Sequence, residues 1–483
     1  MIDIIITNTK CKVICNPVEM DELREKFKIR AKGAFFSPAF KKRQWDGFVR
    51  YIDHNGFFEA GLLPKIRKFI KEEMGLKIQY SDNRTLTEPD ETITELGGMT
   101  LRPYQLDAVA SVFNNKIGKR WFPRCILKEA TNGGKNIISA AIFSSMPEGS
   151  TFFFLIHSQL IYTQALKEMT ELLGESQIGM VDSKRFILKK FNICMVQTLS
   201  VRLKDPTVQR ALAKAEGLIV DECHRAGSKQ YGSVLKYLYN CPIRIGVSGT
   251  PLDHKDKNIN EKIESFFGPI IHTISNQELV EQGYSTEPII KILLGETKYP
   301  IGFGYAHEYE TVITGNKKRT KRIWKRVRKQ IEKKRLPLLI LCKFIQHAKN
   351  MLKLMPKDLR ESLKVGVIHV KVKNRKAILQ EFKDGKLDIL IATHIIKEGQ
   401  NMPLIKYAIN TGGSDSAITI IQWLGRMLRK HHTKSKVYID DIYDLGIYLK
   451  RHSKHRVKFY KDQGFRVLEI HKKTAKRKSI KIY

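Results

Sequence analysis

Two short segments of this chain combine residue types suited to phosphate chemistry. The run Ala130, Thr131, Asn132, Gly133, Gly134, Lys135, Asn136 is a Gly-rich turn carrying a cation. Such a turn can wrap backbone N–H groups around phosphate oxygens, which makes residues 131–136 candidates for nucleotide binding and sets Lys135 against the β and γ phosphates. The apolar Cys125, Ile126 and Leu127 precede it and a helix-like stretch over residues 137–143 follows, the strand, loop and helix order that this reading requires. The second segment runs Gly217, Leu218, Ile219, Val220, Asp221, Glu222, Cys223, His224. Adjacent carboxylates at the end of a buried strand are costly without a cation. Mg²⁺ held by Asp221, with a water activated by Glu222, removes that cost. His224 reads as a relay between domains, because no second His stands at metal-ligand spacing. The expected chemistry is ATP hydrolysis with Mg²⁺.

Strand ends must position these residues. From about residue 99 short apolar runs at 150–156, 191–196, 217–220 and 244–247 end where polar or Gly residues appear, as in a parallel sheet with function at its C-terminal edge. The theme repeats after about residue 287, where runs at 338–341, 365–369, 389–391, 408–410 and 437–439 alternate with helical stretches at 375–383 and 418–428. Residues 1–95 differ: short strand-like runs, a helix over 20–29, and an expected hairpin in which residues 41–51 and 54–58 pair across an Asn55-Gly56 turn. The expected fold class is α/β, two tandem RecA-like parallel-sheet domains with a small N-terminal α+β accessory domain. Its parts are residues 1–95 (DNA-binding accessory), 96–286 (first RecA-like, ATP-binding), 287–450 (second RecA-like) and a basic extension over 451–483.

Lys and Arg outnumber Asp and Glu by 86 to 49 in 483 residues, a formal +37 that favours a polyanionic partner. The length fits about three domains at roughly 150 residues each. Seven scattered cysteines lack metal-site spacing and read as reduced thiols. Without an apolar run of about 18 residues or a basic, cleavable leader, no membrane partner and a cytoplasmic location are expected. Basic residues at 317–329 and from Arg451 onward could lie along phosphates or form solvated faces.

In their order the segments resemble the motif set of superfamily 2 helicases. Leu101, Arg102, Pro103, Tyr104, Gln105 resembles the adenine-reading element, which implies nucleotide contacts by Arg102 and a Gln105 that donates to and accepts from adenine. The runs 155–160 and 196–199 look like the segments that grip the nucleic-acid backbone, which assigns that role to His157, Ser158 and Thr198. Ser248, Gly249, Thr250, Pro251 resembles the motif that couples the carboxylate site to the groove, with His224 and Gln422 as further coupling residues. In the second layer, residues 391–403 resemble the motif touching backbone and nucleotide, implying DNA contact by Thr393 and nucleotide contact by Gly399 and Asn401. The run 422–429 resembles the arginine-finger motif; Arg426 and Arg429, one helical turn apart, would project from one face towards a γ-phosphate. Three positions depart from pattern. Asn136 stands where Walker-type loops have Ser or Thr, so its amide oxygen becomes the candidate second metal ligand. Asn401 replaces a common Asp, and Val370 a Gly after His369.

Trp45-Asp46-Gly47, Gly56-Phe57 and Gly61-Leu62-Leu63-Pro64 resemble the accessory domain of UvsW-type phage DNA helicases, and the DECH order of residues 221–224 suits that branch. Lys42 and Arg43, with Lys41, Arg50 and nearby aromatics, could hold duplex phosphate and stack on an unpaired base, while Trp45 fits a small core. The resemblance implies an ATP-dependent, backbone-reading DNA helicase for forks and junctions, monomeric, working beside recombination or replication proteins. A duplex translocase that separates no strands and an ATP-regulated DNA clamp with little turnover are the alternatives.

Overall fold

The computed structural model describes residues 1–295, 304–393, 402, 404–415, 417–432 and 434–469. They form two compact units, Met1–Ile274 and Ser275–Tyr483. No helix among the described residues is long and apolar enough to cross a membrane.

The first unit opens with a small sheet whose strand order is Phe57–Glu59, Lys10–Ile14, Ile2–Ile6, Ile78–Asp82. Alternation in Ile2, Ile4 and Ile6 buries one face against the helix Leu63–Glu72, whose Leu63, Ile66, Phe69 and Ile70 form its apolar stripe. The expected hairpin does not form. A tight turn does occur, with Gly56 left-handed and its N–H on Asp53 O (3.1 Å). The flanking runs then part: Phe48–Arg50 pairs with Lys28–Arg30, and Phe57–Glu59 with Lys10–Ile14. The expected strand residues 41–47 instead finish a short helix, Pro38–Lys41, and a loop in which half-buried Trp45 donates Nε1–H to Phe48 O (2.8 Å).

This module sits directly on the helix Lys257–Phe267 of the larger layer. A Cβ on Gly61 would stand 2.4 Å from Glu264 O, so only glycine permits that approach. Lys65 Nζ reaches Glu261 (2.7 Å) and Glu264 (3.1 Å), and Tyr51 Oη donates to Asn258 O (2.9 Å).

The larger layer is an eight-stranded sheet in the order Phe186–Ile187, Ile178–Val181, Phe191–Met195, Phe152–Ile156, Gly217–Asp221, Ile243–Ser248, Arg124–Glu129, Ile270–Ile274. All pairs are parallel except the first. The central strands are buried on both faces, which explains their unbroken apolar runs.

The second unit carries a parallel sheet ordered Val365–Ile368, Ile389–Ala392, Leu338–Leu341, Tyr407–Asn410, Lys436–Tyr443, Glu287–Leu294, Arg466–Glu469. Residues 448–469 do not trail away as a basic extension. They form the helix Tyr448–Asp462 and a strand paired with Glu287–Leu294. Arg456 is the reason: although basic, it is buried with Nη2 2.9 Å from Asp441 Oδ1, and Tyr460 donates to the same carboxylate (2.7 Å). Arg319, in the basic helix Lys317–Glu332, is likewise buried against Asp444 (2.9 Å).

Candidate functional site

Three adjacent strands build the site at their carboxyl ends. Arg124–Glu129 feeds the Gly-rich loop, Gly217–Asp221 ends on the carboxylates, and Ile243–Ser248 lies between them and ends on Ser248. The loop turns through left-handed Asn132 (φ 84°) and Gly134 (φ 76°). A Cβ at Gly134 would stand 2.3 Å from Gln105 Nε2, so glycine is what lets loop and amide meet. The helix Lys135–Ser144 starts at once, leaving its first N–H groups at the loop.

Lys135 Nζ lies 3.0 Å from Glu222 Oε1. Burial disfavours the ammonium, but the charges of Glu222 and Asp221 outweigh it and raise its pKa. Burial pushes Asp221 up against the opposing pull of Lys135, with Glu222 adding to the rise. Burial also works to raise Glu222, but Lys135 and His224 hold it well below the ordinary carboxylate range. The two carboxyls are thus driven apart, one kept ionised and one poised to gain from a cation. Glu222 adopts a left-handed backbone (φ 52°), a strained geometry for a non-glycine residue at the strand's exit.

The expected coupling residues His224, Ser248 and Thr250 meet around Glu222. Ser248 Oγ donates to Glu222 Oε2 (3.0 Å) and accepts from Thr250 N (3.2 Å), while His224 Nδ1 lies 3.1 Å from Ser248 Oγ and 3.2 Å from Glu222 Oε2. His254 Nε2 donates to His224 O (2.6 Å), a contact not anticipated from sequence.

Gln105 is buried. Its Oε1 accepts from Arg102 N (3.0 Å), closing the first turn of the helix Pro103–Asn114, and its Nε2 has no partner. Only the donor end is left to meet a base, narrower than the expected two-way contact. Arg102 itself is exposed, and Thr131 and Gly133 lie in the loop as expected. Asn136 Nδ2 donates to Glu168 Oε2 (2.6 Å) on the neighbouring helix Gln159–Leu173, and no hydrogen bond joins Asn136 to Asp221. Among the described residues no cluster of three or more His, Cys, Asp or Glu side chains could hold a metal alone. Mg²⁺ on Asp221 therefore fits only as an ion that keeps water and phosphate ligands, which is how Mg²⁺ is usually held.

Glu129 escaped the sequence reading. It is fully buried, with Oε1 2.6 Å from His272 Nδ1 and Oε2 unpartnered beneath Gly133. A carboxylate closing an apolar strand just before a Gly-rich loop was the available signal.

The proposed DNA contacts follow the same edge. His157 and Ser158 follow Phe152–Ile156, and Thr198 lies in the helix after the neighbouring strand Phe191–Met195; Gln197 Nε2 joins the two by donating to His157 O (2.6 Å). Lys42 and Arg43 are exposed on the N-terminal module near Phe35 and Phe36, themselves 59% and 82% exposed.

In the second unit buried Thr393 ends the strand Ile389–Ala392. Gly399 and Asn401 lie outside the described residues, as does the side chain of Gln422. The two arginines do not share a helical face. The helix Ala417–Met427 ends before Arg429, which forms a β-bridge with Ser285 instead. Thr286 N donates to Leu428 O (2.8 Å) and Lys434 Nζ to Met427 O, so cross-strand bonds and a capping ammonium stop the helix. Arg426 is buried on the helix and Arg429 half-buried beyond it.

Three family models match in succession: DNA helicase UvsW, N-terminal, at residues 6–81; Type III restriction enzyme, res subunit, at 98–253; and Helicase conserved C-terminal domain at 322–431. The three matches follow one another along the N-terminal module, the layer that carries the loop, carboxylate and Ser-Gly-Thr segments, and the second parallel sheet. The ATP-dependent DNA helicase uvsW of Enterobacteria phage T4 is 27% identical over 94% of this chain and 96% of its own length. The DNA 3'-5' translocase XPB2 of Sulfurisphaera tokodaii is 23% identical over 76% of this chain and 85% of its own. An HsdR fragment of a type I restriction enzyme from Vibrio vulnificus shares the fold with a TM-score of 0.59 at 16% identity, over 84% of this chain and 74% of that one.

Proposed function

We propose that the chain is an ATP-dependent DNA helicase that unwinds or branch-migrates forked and junction DNA in replication, recombination or repair. The observation that carries this is the closed network of Lys135, Glu222, Ser248 and His224 at strand ends whose neighbours present His157, Ser158 and Thr198. In this reading ATP is the substrate; residues 131–136 and Lys135 hold its phosphates, the Gln105 amide meets the base, and Arg102, Gly399 and Asn401 add contacts. Lys135 exchanges Glu222 for phosphate, which frees Glu222 to take a proton from water. Asp221 would hold Mg²⁺, which would supply charge neutralisation for the phosphate. Ser248 and His224, both bonded to Glu222, feel that change first and pass it to the backbone-gripping residues, to which Thr393, Lys42 and Arg43 also belong. Arg426 or Arg429 serves as the arginine finger, with Gln422 as a coupling residue.

DNA is gripped through its backbone, so structure and not base sequence selects it. The protein works in the cytoplasm, the host's if it is phage-encoded, as a monomer beside recombination or replication proteins. Phosphate release measured with and without forked DNA tests the assignment. Stimulation that requires Mg²⁺ is expected, and fork binding without any hydrolysis would favour an ATP-regulated clamp. The kinship with a protein named a translocase keeps open a duplex translocase, which would displace a bound block but free no labelled strand.

A further inference from the structure

The second unit has a basic groove at the amino edge of its sheet. Arg335, Lys406, Lys434 and Lys436 lie at or just before the amino ends of Leu338–Leu341, Tyr407–Asn410 and Lys436–Tyr443, three neighbouring strands, with Lys333 beside them. They line an open groove of about 520 Å³ with Tyr438 and no carboxylate among the lining residues. Parallel α/β sheets place their ligand sites at the carboxyl ends, where Thr393 stands, so the usual logic of the fold does not account for this opposite edge.

Three of the cations have partners that hold them in place. The Arg335 guanidinium lies 3.2 Å from the centre of the Tyr438 ring and donates to Gln330 Oε1 (2.6 Å). Lys434 Nζ donates to Ile405 O (3.3 Å) and Met427 O, which caps the helix Ala417–Met427. Burial pushes that ammonium down to about 7, with no carboxylate near enough to hold its charge. Lys436 pairs with Glu287 at 3.3 Å, and no ion pair engages Lys333 or Lys406 among the described residues. Basic side chains crowded into one groove repel one another where they are charged, and a polyanion would relieve that cost.

We propose that this groove binds the sugar-phosphate backbone of a duplex DNA arm, a second contact separate from the backbone grip at the carboxyl ends. Three strands at about 4.8 Å spacing spread the cations over roughly 10 Å, the rise of about three nucleotides at 3.4 Å each. Arg335 covers the Tyr438 ring, so no aromatic face is offered to an unpaired base and the groove suits paired DNA. The inference rests on the helicase reading only in taking DNA as the polyanion.

The test is the full chain carrying Lys333→Glu and Lys406→Glu, titrated with a dye-labelled four-way junction and with a single strand at several salt concentrations. Junction affinity should fall at least tenfold and its log–log salt slope should flatten by about 2, one unit for each lost phosphate contact. Single-strand affinity, DNA-independent phosphate release and the thermal midpoint should match wild type. Unchanged junction affinity, or an equal loss on the single strand, overturns the groove while leaving the helicase reading intact. Wild-type protein that binds no DNA removes both.

Discussion

Lys135 has two claimants. In the structure it is paired with Glu222, and a phosphate would have to compete for it, which would link nucleotide arrival to release of the Glu222 carboxylate. Glu222→Gln keeps the shape and the Ser248 contact but cannot accept a proton. Hydrolysis should fall about 10²–10⁴-fold with fork binding retained, measured as single-turnover phosphate release. Wild-type turnover in that variant would take Glu222 out of the chemistry. Lys135, Asp221 and Ser248 were legible because each sits in a contiguous signal, a Gly-rich turn or an apolar run ending in polar residues. Their partners were not. Lys135 and Glu222 are 87 residues apart, Glu129 and His272 are 143 apart, and Asn136 meets Glu168 across 32, so only the sheet order reveals the pairs.

At the scale of elements, buried parallel strands announced themselves, because a strand covered on both faces must be apolar throughout. Elements decided by long-range pairing did not. Phe48–Arg50 pairs with Lys28–Arg30, and no local pattern could prefer that to the Asn-Gly hairpin. From Arg451 onward the chain reads as a basic extension, because the lysines and arginines of Tyr448–Asp462 hide one buried arginine, Arg456, matched by Asp441. Another element carries a pH liability. His347, on the helix Ile345–Lys353, is fully buried, and burial, with Arg319 adding, pushes its pKa from 6.5 down to about 3. Between those values the unfolded chain binds a proton that the folded chain refuses, so stability falls as pH drops below 6.5, by about 1.4 kcal/mol per unit. Unfolding free energies from denaturant titrations at pH 7 and 5.5 should therefore differ by about 1 kcal/mol more in wild type than in His347→Leu. Identical pH dependence in the two proteins would mean that His347 is protonated within the fold.

For the molecule as a whole, its two RecA-like sheets and basic accessory module matter only if phosphate chemistry in one place becomes movement along DNA in another. The N-terminal module is tied to the helix Lys257–Phe267, which also follows the Ser248–Thr250 segment in sequence. The most direct test is release of a labelled strand from a synthetic fork and migration of a four-way junction, each followed with ATP, with a non-hydrolysable analogue, and with Lys135→Ala. Strand release or branch movement by wild type with ATP alone, and by neither control although both still bind the fork, is the predicted result. Equal movement with the analogue or with Lys135→Ala would contradict it, because motion would then owe nothing to hydrolysis at this site.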